Sequence, residues 1–165
     1  MATVTHRVFM TDVSCSLNLR YIAMNTRDVV YTKVPFHVLR WKHKKIGGMC
    51  MVYASGKIIH HGEKMQLRKY VRLLQKMDFP IRLQRISLVT QSATFMLPNV
   101  NYELLVNECG AQYEPEVFHA CILKKNEMTF TIYNSGKVVI TGIKNLDEAN
   151  GTLIEIALTQ ERTLK

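Results

Sequence analysis

The side chains of this chain that could do chemistry are two adjacent histidines, four cysteines and a surplus of cations. His60 and His61 are of a type that binds metal, but no carboxylate or cysteine stands at ligand spacing, so no metal is expected. Cys15, Cys50, Cys109 and Cys121 form no CxxC pair and no disulfide framework, and read as buried thiols of a reducing compartment. No nucleophile, histidine and carboxylate follow in a catalytic order, and no glycine-rich loop is built to cradle phosphate. The chain is therefore expected neither to be an enzyme nor to need a cofactor. What remains is charge: 22 lysines and arginines against 13 acidic residues give +9 and a pI near 9.5. That balance favours polyanions, with nucleic acid first and an acidic membrane surface or acidic protein second.

The elements that carry these cations come from one stretch that occurs twice. Val52 to Lys64 and Ile132 to Lys144 share a Tyr, then Ser-Gly-Lys, a later Gly and a final Lys at the same places. Each is preceded by a Tyr and, five residues on, a Phe: Tyr31 with Phe36, Tyr113 with Phe118. Such repetition at half the length of a 165-residue chain marks an internal duplication. We expect one domain over 1–165, built from repeats of approximately 1–85 and 86–165. At 47% hydrophobic residues it can bury a proper core. The first residues hold no apolar core long enough for a secretory signal, and no run approaches a membrane span. A soluble, intracellular protein is expected.

Periodicity predicts strands over Val4–Val13, Val29–Tyr31, Phe36–Lys42, Met49–Tyr53 and Lys57–His61, with Gly56 turning the last pair. In Phe36–Lys42 the alternation puts Phe36, Val38, Arg40 and Lys42 on one face. Leu17–Met24 suits a short helix capped by Ser14 or Ser16. Over Lys64–Met77 the period becomes helical, with Leu67, Tyr70, Val71, Leu74 and Met77 inward. Ile81–Val89 reads as a strand into the second half. There strands near Thr94–Leu97, Phe118–Lys124, Thr129–Tyr133 and Lys137–Thr141 repeat the order, with a helix in Tyr102–Cys109. A last helix over Leu146–Leu158 would turn Leu146, Ala149, Leu153, Ile154 and Ala157 inward. Two such halves imply one antiparallel sheet with helices on one face and the other face free.

Tyr113-Glu114-Pro115-Glu116-Val117-Phe118, followed by Tyr133 to Gly142, resembles the second repeat of the conserved core of TATA-box-binding proteins. Leu17 to Ala23 and Arg68 to Lys76 resemble its first repeat. The resemblance covers essentially the whole chain, in the character of the divergent, TBP-like factors. It implies an α+β fold: a pseudo-twofold saddle, one long curved antiparallel sheet with helices on the convex face. It also implies a nuclear transcription initiation factor whose concave sheet binds double-stranded DNA in the minor groove and bends it. Aromatic wedging of this kind has the TATA-box-binding proteins as its type case.

By position, the resemblance makes Phe36 with Tyr53, and Phe118 with Tyr133, the wedge pairs; Tyr stands where the family usually has Phe. An aromatic in a sheet protein is more often core, but the duplicated placement beside hairpin tips favours the open face. Met51, Ile59, Thr131, Val139 and Thr141 would line the groove floor. Lys42, Ser55, Lys57, Lys64, Lys124, Ser135, Lys137 and Lys144 would flank it at the phosphates. His6 and Thr90 stand where the family has a central Asn in each repeat, and His61 where it has a threonine. These replace donors that help select A·T steps, so strict TATA recognition is not implied. Glu114, Glu116 and Val117 keep the pattern that contacts transcription factor IIB. Arg68, Lys69, Arg72 and Lys76 resemble the face that meets factor IIA. A second reading is therefore an adaptor that binds factors IIA and IIB and barely engages DNA. An unoccupied apolar groove also invites self-association.

Overall fold

A computed structural model describes residues 1–161 of the chain. These form nine strands and four helices, an α+β fold, and gather into two compact units. One comprises Arg7–Val89; the other comprises residues from Thr90 on together with Met1–His6.

The first unit holds most of β1 (Thr3–Asp12), then α1 (Leu19–Asn25), β2 (Val29–Thr32), β3 (Val38–Trp41), β4 (Met49–Tyr53), β5 (Lys57–His61) and α2 (Lys64–Gln75). Its strands pair antiparallel in the order β2-β3-β4-β5-β1. The strands alternate cleanly: Cys50, Val52, Ile58 and His60 are buried, while Met49, Met51, Tyr53, Ile59 and His61 are half-buried on the other face. Leu67, Tyr70, Val71 and Leu74 of α2 and Ile22 of α1 close over the buried face to make one core with Trp41. Tyr70 ties that core to the β3–β4 loop by donating to the Gly47 carbonyl (3.1 Å) and accepting from the His43 N–H (2.9 Å). The α2 start is held by Gln66, whose Oε1 accepts from the Glu63 N–H at 2.9 Å.

The second unit holds β6 (Ser87–Met96) from Thr90 on, α3 (Tyr102–Cys109), β7 (Cys121–Lys125), β8 (Met128–Ile132), β9 (Lys137–Ile143) and α4 (Leu146–Glu161). Its strands run β6-β9-β8-β7. The order repeats that of the first unit, except that an isolated bridge from Gln112 to Ile122 stands in the place of β2. Phe130, Ile132, Val138 and Ile140 make the core with Leu105 of α3 and Ala149, Leu153 and Ile156 of α4.

Several expectations need correction. The α1 N-cap is Asn18, whose side chain accepts from the Tyr21 N–H, rather than Ser14 or Ser16. Ser14 is instead tied back to the Asp12 carboxylate. The strand expected at Ile81 begins only at Ser87, because the Arg82 and Gln84 N–H groups bond to the Val13 and Asp12 carbonyls as a loop. β3 is shorter than Phe36–Lys42, and Val38 is buried despite sharing the Arg40 face by alternation. In α4, Ile154 is exposed, and Thr152, Ile156 and Gln160 take buried places instead. Cys15 and Cys109 are half-buried; only Cys50 and Cys121 are buried, and all four are free thiols.

Candidate nucleic-acid interface

The four aromatics lie at the surface of their units. Phe36 precedes β3 and is 69% exposed. Tyr53 ends β4 half-buried and belongs to no buried core. The turn after it closes with the Gly56 N–H on the Tyr53 carbonyl at 3.0 Å. Gly56 has φ +98°, and a Cβ there would sit 2.4 Å from the Cys15 carbonyl oxygen, so only glycine fits. The second copy has the same turn, with Gly136 at φ +98° and its absent Cβ 2.4 Å from the Leu97 carbonyl oxygen. Phe118 is 37% exposed and meets Tyr133 edge-on at 6.4 Å, with His119 against both rings.

The open face of each sheet is fixed by register. In the first unit Arg40 pairs with Met51, Met51 with Ile59 and Ile59 with Met10, a row across four strands. In the second, Ile122 pairs with Thr131, Thr131 with Val139 and Val139 with Thr94. A further row sets Thr129 beside Thr141, at the places of Met49 and His61. Met51, Ile59, Thr131, Val139, Thr141 and His61 thus share the face of each sheet that is not buried in its core. Arg40, Met10, Ile122 and Thr94 share these rows and were not singled out from the sequence. Alternation already put Arg40 with Lys42, but only strand register shows that it lines up with Met51 and Ile59.

His60 and His61 point to opposite faces. His60 is fully buried, its Nε2 3.0 Å from Gln66 Oε1 and its ring 5.5 Å from Tyr70. Burial pushes its pKa below the ordinary 6.5, so the ring is neutral. Among the described residues no three His, Cys, Asp or Glu side chains gather as a metal site. His6 is exposed on β1, whereas the Thr90 Oγ1 is sealed from solvent without a hydrogen-bond partner.

The rim groups are solvent-exposed at matched places: Ser55 and Lys57 against Ser135 and Lys137, Lys64 against Lys144, Lys42 against Lys124. Each serine oxygen accepts from the N–H of the following lysine, Lys57 or Lys137, at 3.4 Å. Lys144 also reaches Glu127 at 3.4 Å, an exposed pair of little energetic weight. Elsewhere Arg68, Lys69, Arg72 and Lys76 are exposed at α2. Glu114, Glu116 and Val117 project from a turn in which the Val117 and Phe118 N–H groups both bond to the Glu114 carbonyl. No helix among the described residues is long and apolar enough to cross a membrane.

The family profile described as "Transcription factor TFIID (or TATA-binding protein, TBP)" matches residues 1–77 and 92–158. The chain belongs to the TATA-box-binding protein family. It is 31% identical over 158 residues to TATA-box-binding protein 1 of Arabidopsis thaliana, covering 88% of this chain and 78% of that one. It is 30% identical over 154 residues to TATA box-binding protein-like 2 of Mus musculus, covering 86% of this chain. That relative is longer, and the chain spans 44% of it. The solved structure of Methanococcus jannaschii TBP superposes with a TM-score of 0.80 over 98% of both chains, at 24% identity. The last likeness shows the TATA-box-binding protein fold.

Proposed function

We propose that this family member binds double-stranded DNA in a widened minor groove through the open faces of its sheets. Phe36 with Tyr53, and Phe118 with Tyr133, wedge into base steps and bend the duplex. Apolar and threonine rows suit a groove floor that offers mostly acceptors and sugar surface. The six rim lysines with Ser55 and Ser135 meet the phosphates. The bent complex then recruits transcription factor IIB through Glu114, Glu116 and Val117, and factor IIA through Arg68, Lys69, Arg72 and Lys76. It acts in the nucleus, with an RNA polymerase initiation machinery, as a single domain of two repeats and without catalysis. The observation that carries this reading is that exposed or half-buried aromatics recur beside the same hairpin turn in both units. An energy-transfer assay on end-labelled duplexes tests it: wild type bends, and Phe118→Ala with Tyr133→Ala does not. Absence of bending by wild type across a random duplex pool would refute it.

One observation favours a second reading, an adaptor that binds the two factors with little DNA affinity. Thr90, where the resemblance puts a central Asn, has its hydroxyl sealed from solvent and so out of reach of a base edge. Capture of factors IIA and IIB with no duplex shift at low salt would decide for the adaptor.

A further inference from the structure

The rim cations come in matched pairs, one in each unit, but one floor cation does not. Arg40 is exposed in the middle of β3, next to Met51 in a row that continues to Ile59 and Met10. Its guanidinium has no hydrogen-bond or ion-pair partner among the described residues. Nothing in the fold uses the charge. The same place in the second unit holds Ile122, in a row of Thr131, Val139 and Thr94 that carries no charge. The two floors are therefore chemically different where their frames are alike.

A minor groove presents the A N3 and T O2 acceptors at A·T pairs, while a G·C pair adds the amino donor of guanine. Runs of A·T also narrow the groove and deepen its negative potential, which draws in arginine. A guanidinium with five donors and no acceptor is satisfied by the first surface and opposed by the second. Ile122 gains from neither.

We propose that Arg40 reads base edges in the half of the DNA site held by the first repeat, and makes the protein's sequence preference directional. This rests on the DNA-binding reading above. The residue is specificity-determining; the wedges supply the bend. Arg40→Ile copies the second repeat and places a good strand former at an exposed site, so the fold is kept. Arg40→Lys keeps the charge but loses the two-pronged donor geometry.

The test is selection of bound duplexes from a random pool by the full chain as wild type, Arg40→Ile and Arg40→Lys. Affinity and energy-transfer bending are then measured on the wild-type consensus, and circular dichroism confirms folding. Wild type is expected to select A·T in one half more strongly than in the other. Arg40→Ile should lose that asymmetry and bind the consensus about 5–100-fold more weakly, the range of one good base contact, while still bending it. Arg40→Lys should lose most of the asymmetry too. If Arg40→Ile selects the same directional consensus with equal affinity, the inference is overturned while the DNA-binding reading stands. If Arg40→Lys keeps the wild-type preference in full, charge in the groove and not base-edge donor geometry sets that preference, and the inference is again overturned. No bending by wild type on any duplex overturns both.

Discussion

An aromatic ring left in solvent contributes little to its own fold, which makes Phe36 a clean probe of function. Phe36→Ala should change unfolding free energy by no more than about 0.5 kcal/mol, as for an exposed site away from the core. If the ring stacks on a base, the same change should weaken duplex binding by about 1–3 kcal/mol. Chemical unfolding beside a duplex titration separates the two, and equal affinity would remove Phe36 from the wedge. His60 gives the opposite case, a side chain that matters only to the fold. Its folded-state pKa lies below 6.5, so the stability from the neutral ring is complete above about pH 6.5. It is lost as pH falls through the lowered value, where the unfolded chain already holds the proton. The stability difference between wild type and His60→Leu, from urea unfolding, should therefore shrink steadily below about pH 6.5. The pair His60-His61 shows what sequence could and could not tell at this scale. Their opposite faces follow from the alternation of β5, but nothing in the order of residues showed that Gln66 would meet the buried one.

At the scale of elements, legibility followed the strength of the local signal. β4 and β5 were read to the residue because alternation is strict and Gly56 forces the turn between them. The inner face of α2 was equally plain, since Leu67, Tyr70, Val71 and Leu74 keep helical spacing against a charged remainder. α4 was not, because its apolar residues are spread around the helix rather than gathered in one stripe. Its pattern did place Ala149 and Leu153 inward, but packing against α3 and β9 buries Ile156 as well and leaves Ile154 in solvent. That exposed side offers a prediction. Gly151 lies within α4 with open space around its missing Cβ and no positive φ. Gly151→Ala should stabilise the protein by about 1 kcal/mol through helix propensity and a less free unfolded chain. The melting temperature should rise by about 2–4 °C. At the other helix the sign reverses. Gln66→Ala removes the acceptor shared by the Glu63 N–H and His60 Nε2, and should cost about 1–3 kcal/mol by leaving a buried donor unmet. A urea midpoint unchanged from wild type would show that water replaces Gln66.

For the whole molecule, the duplication carried most of the information, because a sequence repeated at half-length fixes the order of elements twice over. What it could not fix is how a net charge of +9 is spent. Charge spread evenly over a surface and charge aligned on a polyanion give the same composition but different salt laws. If Lys42, Lys57, Lys64, Lys124, Lys137 and Lys144 each neutralise one phosphate, the released counterions make log affinity fall against log salt with a slope of about −5. Removing one contact with Lys137→Ala should flatten that slope by about 1, whatever the duplex sequence. The wedges should behave differently: Tyr133→Ala should weaken binding at every salt concentration and leave the slope unchanged, since a ring releases no counterion. Duplex titrations of wild type and both variants between about 50 and 200 mM salt span the range in which these effects separate. A shallow wild-type slope that Lys137→Ala does not alter would mean that the rim lysines are only a solvated surface. Then the exposed cations of α2, facing acidic protein partners, would be left as the use of the charge, and the adaptor reading would follow.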